Sequence, residues 1–159
     1  MMTSPLQLEA SYIRQLSFSM KAEPGIVKLV EAPSVSVIVK AARRPDDPLA
    51  WSFELSLEFE EKTKKRMPFD FSLVMLGFFK ISNKYPADQV ERLATANGPA
   101  VLYSMARETI SAITGRNGYS PFVLPTVTFV QSPSQVAKQQ KPPRSRTPRP
   151  KTGVKSVVK

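Results

Sequence analysis

The sequence predicts an α+β fold, a four-stranded antiparallel sheet followed by two helices. Three observations carry that prediction. Apolar residues recur at every second position through the N-terminal half, most clearly at Trp51, Phe53, Leu55, Leu57 and Phe59. Turn-forming stretches at Pro24-Gly25, Arg43 to Pro48 and Glu61 to Arg66 separate these runs. From Pro86 to Gly115 the apolar spacing changes to the helical period.

The first strand is read from Leu6 and Leu8, then Leu16, Phe18 and Met20, which share one parity, with Gln7, Glu9, Ser17 and Ser19 between them. Ile26, Val27, Leu29 and Val30 sit between Pro24 and Pro33, too interrupted to assign to an element. Val35, Val37 and Val39 resume the alternation, and Arg43-Arg44-Pro45-Asp46-Asp47-Pro48 turns the chain. In the third strand Trp51 to Phe59 faces a core, while Ser52, Glu54, Ser56, Glu58 and Glu60 face water. One dry and one wet face suits an antiparallel sheet. Glu61 to Arg66 forms a charged hairpin loop. Phe69 and Phe71 begin the fourth strand, but from Leu73 to Phe79 both faces are apolar. Val74, Leu76 and Phe78 therefore fall on the face that the third strand leaves wet. A covering element is expected there: another segment, a partner subunit or a ligand.

Pro86 stands at the first helical position, with Asp88 and Glu91 near the positive end of the helix dipole. Val90, Leu93 and Ala94 make a narrow apolar stripe, and Asn97-Gly98-Pro99 predicts a break and a second helix. In that helix Leu102, Met105, Ala106, Thr109, Ile110 and Ile113 share one side, with Ser104, Arg107, Ser111 and Thr114 opposite. The expected packing sets the Trp51 to Phe59 face against Leu102, Met105, Thr109 and Ile113.

Composition narrows the chemistry. The chain has 159 residues, which suits one domain, and 42% of them are hydrophobic, enough for a core. Cysteine and histidine are absent, which removes thiolate chemistry, the commonest general base and the commonest transition-metal ligands. The six glycines form no phosphate-cradling loop, and Glu54, Glu58 and Glu60 read as the solvated side of a half-buried strand rather than an acid–base pair. No enzyme activity, cofactor or metal is expected. The N-terminus lacks the pattern of a secretion signal and no apolar run reaches membrane-spanning length, so the expectation is a cytoplasmic protein.

The net charge of +10 is unevenly placed. Lys138, Lys141, Arg144, Arg146, Arg149, Lys151, Lys155 and Lys159 lie beyond residue 130, where there is no acidic residue and no aromatic. Residues 1–130 are nearly neutral and form the predicted domain. Residues 131–159 read as a disordered, basic, proline-rich tail, too poor in apolar residues to offset its ordering entropy. Such a tail solubilises the chain, or meets nucleic acid or an anionic surface through nonspecific electrostatics.

The strand end Gly77-Phe78-Phe79-Lys80-Ile81, the helix residues Ala106-Arg107-Glu108 with Ile110-Ser111, and the following Leu124-Pro125-Thr126-Val127-Thr128-Phe129 occur in an order and spacing that resembles the SecB family of protein-export chaperones. The first strand, with Leu16-Ser17-Phe18, fits as well, and the resemblance covers about residues 8–130. It implies an ATP-independent holdase, a homotetramer built as a dimer of dimers, that holds unfolded polypeptides or preproteins in hydrophobic grooves and passes them to the translocase motor SecA. On that reading the client groove falls on Ile26, Val27, Leu29, Val30, Val74, Leu76, Phe78 and Leu124. Glu54, Glu58 and Glu60 are the acidic docking face, and Leu16, Phe18, Arg107 and Glu108 are interface residues. The long basic tail departs from the family's usual short, acidic or polar one. Two other readings stand beside the holdase: a nucleic-acid-associated adaptor acting through the tail, and a SecB-like chaperone dedicated to one antitoxin-type client.

Overall fold

The structure is a computed structural model that describes residues 4–25 and 33–130. Ile26, Val27, Leu29 and Val30, and the whole of the 131–159 tail, lie outside the described residues. The strands are β1 (Leu6–Met20), β2 (Val35–Arg44), β3 (Asp47–Phe59) and β4 (Phe69–Ile81). All pairings are antiparallel, and the spatial order is β1-β4-β3-β2, so β1 and β2 are the edges. A one-turn helix α1 (Glu61–Lys64) sits inside the loop between β3 and β4, which the sequence reads as a plain charged hairpin. Thr63 anchors that turn. It is buried, and its hydroxyl accepts the Ser34 backbone N–H at 3.0 Å.

The inner face of the sheet is dry as the alternation predicts: Phe53, Leu55, Leu57 and Phe59 on β3, with Phe69, Phe71, Leu73 and Phe79 on β4, are all buried. In β1 the parity holds at both ends only because two bulges, at Leu8/Ala10 and Ile13/Gln15, cancel. Between them the faces exchange. Ser11 and Ile13 turn inward opposite Gly77 and Met75, and Tyr12 turns outward opposite Leu76.

Among the described residues one α-helix, not two, follows the sheet. After a single 3₁₀ turn at Ala87–Gln89, α2 runs unbroken from Val90 to Arg116 with Pro99 inside it. Asn97-Gly98-Pro99 resembles a helix stop because proline removes an internal hydrogen bond and glycine favours helix ends. Here Gly98 serves close approach instead. A Cβ at Gly98 would stand 2.4 Å from Phe53 Cε2, so the helix backbone rests on that ring. Gly77 makes the matching concession on β4, where a Cβ would meet Leu102 Cδ2 at 2.7 Å. These two positions press helix and sheet together, and tertiary packing outweighs the local breaker signal.

The buried stripe of α2 is Val90, Ala94, Gly98, Leu102, Ala106, Ile110 and Thr114, one residue in four, joined by Pro99 and Tyr103. It is rotated from the predicted arc. Leu102 is fully buried as expected, but Met105, Thr109 and Ile113 are only half-buried at its flank, with Met105 beside Ser11 of β1. Thr114, expected on the polar side, is fully buried. Its hydroxyl donates to Ile110 O at 2.8 Å and accepts the Phe122 N–H at 2.9 Å. That pair of bonds lets a polar residue lie in the core without an unmet hydrogen bond. It also ties down the extended segment after the helix, whose Phe122, Leu124, Val127 and Phe129 pack on the core.

Candidate functional site

Three loops meet at one end of the sheet: the exit of β1 at Pro24-Gly25, the entry to β4 at Met67-Pro68, and the turn after α2 at Gly118 to Val123. They enclose a groove of about 450 Å³. Met67 and Phe69 form its floor, Tyr119 and Phe122 its wall, and Pro24 and Val123 its rim. The aromatic rings brace one another. Phe69 lies 5.0 Å from Tyr119 and 6.0 Å from Phe122, and Phe59 lies 5.5 Å from Phe122. The Tyr119 hydroxyl bonds the carbonyls of Ala22 and, at 3.2 Å, Pro68, joining all three loops. Gly118 adopts φ 81°, a left-handed turn that a residue with a side chain resists, and it aims Tyr119 back at the sheet. The result is an open concavity in which aromatic and proline side chains alternate with exposed polar groups of the loops.

Sequence reasoning missed Met67, Phe69, Tyr119 and Phe122 as site residues. The legible signal was Gly, Pro and aromatic residues concentrated in three loops. What was not legible is that these loops converge, because that depends on the β1–β4 register, which sets Met20 opposite Phe69.

The groove expected from the sequence is not assembled as one surface. Val74, Leu76 and Phe78 are half-buried on the outer face of the sheet, opposite Ser56, Glu54 and Ser52 of β3. Leu124 is 1% exposed on the other side, inside the subunit core. Its segment is held there by Thr114 and by the Tyr103 hydroxyl, which donates to Pro125 O at 2.5 Å. Burial raises the Tyr103 pKa above its ordinary value, so the phenol stays a donor. The sheet thus separates Leu124 from the other three.

The acidic face is also altered. Glu54 accepts from Arg14 at 2.6 Å and Lys40 at 2.9 Å, and Glu58 pairs with Lys64 at 3.2 Å. The bond from Lys40, with Arg14 beside it, lowers the Glu54 pKa below its ordinary value. Glu60 is exposed. Of the interface residues, Leu16 is 38% exposed on the edge strand and Phe18 stacks on Phe69 at 5.3 Å. Arg107 is half-buried with its Nε shut from solvent and without a hydrogen-bond partner, and Glu108 is exposed. Among the described residues there is no cluster of side chains that could hold a metal ion, and no helix long and apolar enough to cross a membrane.

Comparison with known proteins decides the family. The sequence matches the family described as "Preprotein translocase subunit SecB" over residues 2–140. This chain belongs to the SecB family. It is 31% identical over 147 residues to the protein-export protein SecB of Nitrobacter hamburgensis, covering 86% of this chain and 89% of that protein. It is 28% identical over 122 residues to that of Dechloromonas aromatica, covering 77% of this chain and 80% of the relative. The fold is similar to the SecB-like chaperone of Mycobacterium tuberculosis, solved in complex with an antitoxin peptide. The TM-score is 0.55 at 14% identity, covering 78% of this chain and 91% of that one. Members of the family are protein-export chaperones, not enzymes, and this SecB-family chain is a chaperone.

Proposed function

We propose that this SecB-family protein is an ATP-independent holdase that keeps non-native polypeptides and preproteins unfolded in the cytoplasm for delivery to SecA. The observation that supports this most strongly is the aromatic-walled groove at the loop end of the sheet. Apolar client segments gain roughly 25 cal/mol for each Å² removed from water there, with no sequence code required.

The working form is a homo-oligomer, a tetramer on the family's pattern. The edge strand β1 supports association: Leu8, Ile13, Leu16 and Met20 are 40%, 43%, 38% and 48% exposed, on the side of the sheet that carries α2. The helix crosses β1 as well, with Met105 beside Ser11, yet these four side chains remain exposed. Symmetric pairing of β1 buries them, and helix residues such as Arg107 and Glu108 meet a second pair.

The test is suppression of aggregation of a thermally unfolding protein without nucleotide, with light scattering to fix the oligomer. The proposal expects suppression near stoichiometric amounts by an assembled protein. It also expects loss of suppression when Tyr119 and Val123 are both replaced by serine with assembly intact. A monomer with no holding activity overturns it. The basic tail supports a second activity, salt-sensitive nonspecific binding of nucleic acid, which vanishes on deletion of residues 131–159.

A further inference from the structure

The chain has three asparagines, Asn83, Asn97 and Asn117, and the last two each precede a glycine. An asparagine followed by glycine is chemically vulnerable. The next backbone nitrogen attacks the side-chain amide carbon, and glycine carries no side chain to hinder that approach. The attack needs a backbone that swings out of helical geometry and a nitrogen that gives up its hydrogen bond. The sequence ranks Asn97-Gly98 and Asn117-Gly118 alike, and the fold separates them.

Asn97-Gly98 lies inside α2, which continues to Arg116. Asn97 is exposed, but Gly98 is buried and its backbone rests on the Phe53 ring. Ring closure there would unwind the helix at its tightest contact with the sheet. Asn117-Gly118 lies just past the last residue of α2. Asn117 has φ −92° and ψ 16°, outside the helical pattern, and Gly118 is exposed with φ 81°. The backbone ties are long. The Asn117 N–H is shared between Ile113 O and Thr114 O, each at 3.2 Å, and the Gly118 N–H reaches Gly115 O at 3.2 Å. The firm restraint is on the side chain, whose Nδ2 donates to Ile113 O at 2.7 Å. It holds only while the last helical turn is formed, and helix ends open at lower free energy than packed interiors.

We propose that Asn117-Gly118 is a site of spontaneous deamidation, and that its product loosens the junction of the three loops. The Gly118 nitrogen bonds to Asn117 Cγ, the Cγ–Nδ2 bond breaks, and Nδ2 leaves as ammonia with the Gly118 amide proton. Water then opens the cyclic imide. Opening at Cγ leaves aspartate. Opening at the backbone carbonyl leaves isoaspartate, whose chain runs through Cβ and Cγ and is longer by a methylene. Either product loses the donor to Ile113 O and sets a carboxylate against the helix-end carbonyls, where negative charge is unfavourable. Isoaspartate also displaces Gly118, whose turn aims Tyr119 at the Ala22 and Pro68 carbonyls. Those two bonds and the ring contact of Tyr119 with Phe69 are what join the loops.

The experiment ages the full-length protein in neutral buffer and maps its peptides by mass spectrometry, with isoaspartate identified by enzymatic methylation. The proposal expects product at Asn117 at least about tenfold faster than at Asn97, because a helix end opens more readily than a helix interior. In denaturant the two sites should convert at similar rates, which assigns the difference to the fold. Hydrogen exchange of residues 118–123 should rise with the isoaspartate content and stay at its starting level in aged Asn117→Gln. That readout needs no client, so its outcome is separate from that of the holdase reading. Conversion of Asn97 as fast as Asn117, or no conversion at Asn117 in the folded protein, overturns the assignment of the site. Exchange that stays unchanged as isoaspartate accumulates, or that rises equally in Asn117→Gln, overturns the loosening.

Discussion

On the inner face of the sheet, Phe53, Leu55 and Leu57 are almost completely buried beneath α2 and the segment after it. One residue along on the same strand, Ser52, Glu54 and Ser56 look outward beside Phe78, Leu76 and Val74. The inner face spends its side chains on close packing, with glycines at positions 77 and 98 so that helix and sheet touch. The outer face keeps an apolar strip half-covered and surrounds it with paired charges. Changes on the inner face should therefore alter stability more than changes on the outer face.

The largest expected effect is on the inner face. Phe53→Ala should cost about 3–5 kcal/mol in a denaturant titration, from lost burial and the cavity left behind. Leu76→Ser, on the outer face, should stay within about 1 kcal/mol, near the range of surface substitutions. Similar losses for the two would erase the distinction. Gly98→Ala gives a test of sign. Helix propensity alone favours alanine by about 1 kcal/mol. The contact with Phe53 predicts instead a destabilisation of about 1–3 kcal/mol from overpacking, read as a lowered midpoint. Thr114→Val should cost about 1–3 kcal/mol, because the part-buried Phe122 N–H loses its acceptor. The smallest effect belongs to Glu54. Its folded pKa is lowered by Lys40 and then Arg14, so its contribution is present at neutral pH. That contribution is lost as pH falls below the unfolded carboxylate value of about 4. Glu54→Gln should remove this acid-dependent part of the thermal midpoint while changing little else.

The same contrast explains what could be read in the sequence. β3 was legible because the polar and apolar residues alternate without a break from Trp51 to Phe59 and the structure keeps that register. The surplus apolar residues Val74, Leu76 and Phe78 were correctly placed on the outer face, since parity alone decides it. β1 was legible only at its ends, because two compensating bulges turn its middle over. The helix break was misread at Asn97-Gly98-Pro99. The reason for Gly98 is the ring of Phe53, forty-five positions away, and no local pattern reports it. Thr114 was placed on the wrong side for a similar reason, because its partner is the distant Phe122 N–H. Leu124, expected as a wall of the client groove, is buried in the subunit core, and that burial depends on the same tie. The Arg14–Glu54–Lys40 arrangement needs three strands in register, so a strand-by-strand reading saw only an acidic residue.

The measurement that tests the account most directly compares the two regions in one experiment. A photo-activated cross-linker is placed at Val123, on the rim of the loop-end groove, or at Ile38, on the outer face. These positions are similarly exposed, at 59% and 52%. Each protein is mixed with an unfolding client and illuminated. The account predicts client cross-links from Val123 and few from Ile38, with the Val123 product reduced when Tyr119 is replaced by serine. Client captured from Ile38 and not from Val123 would contradict it and place the holding surface on the outer face.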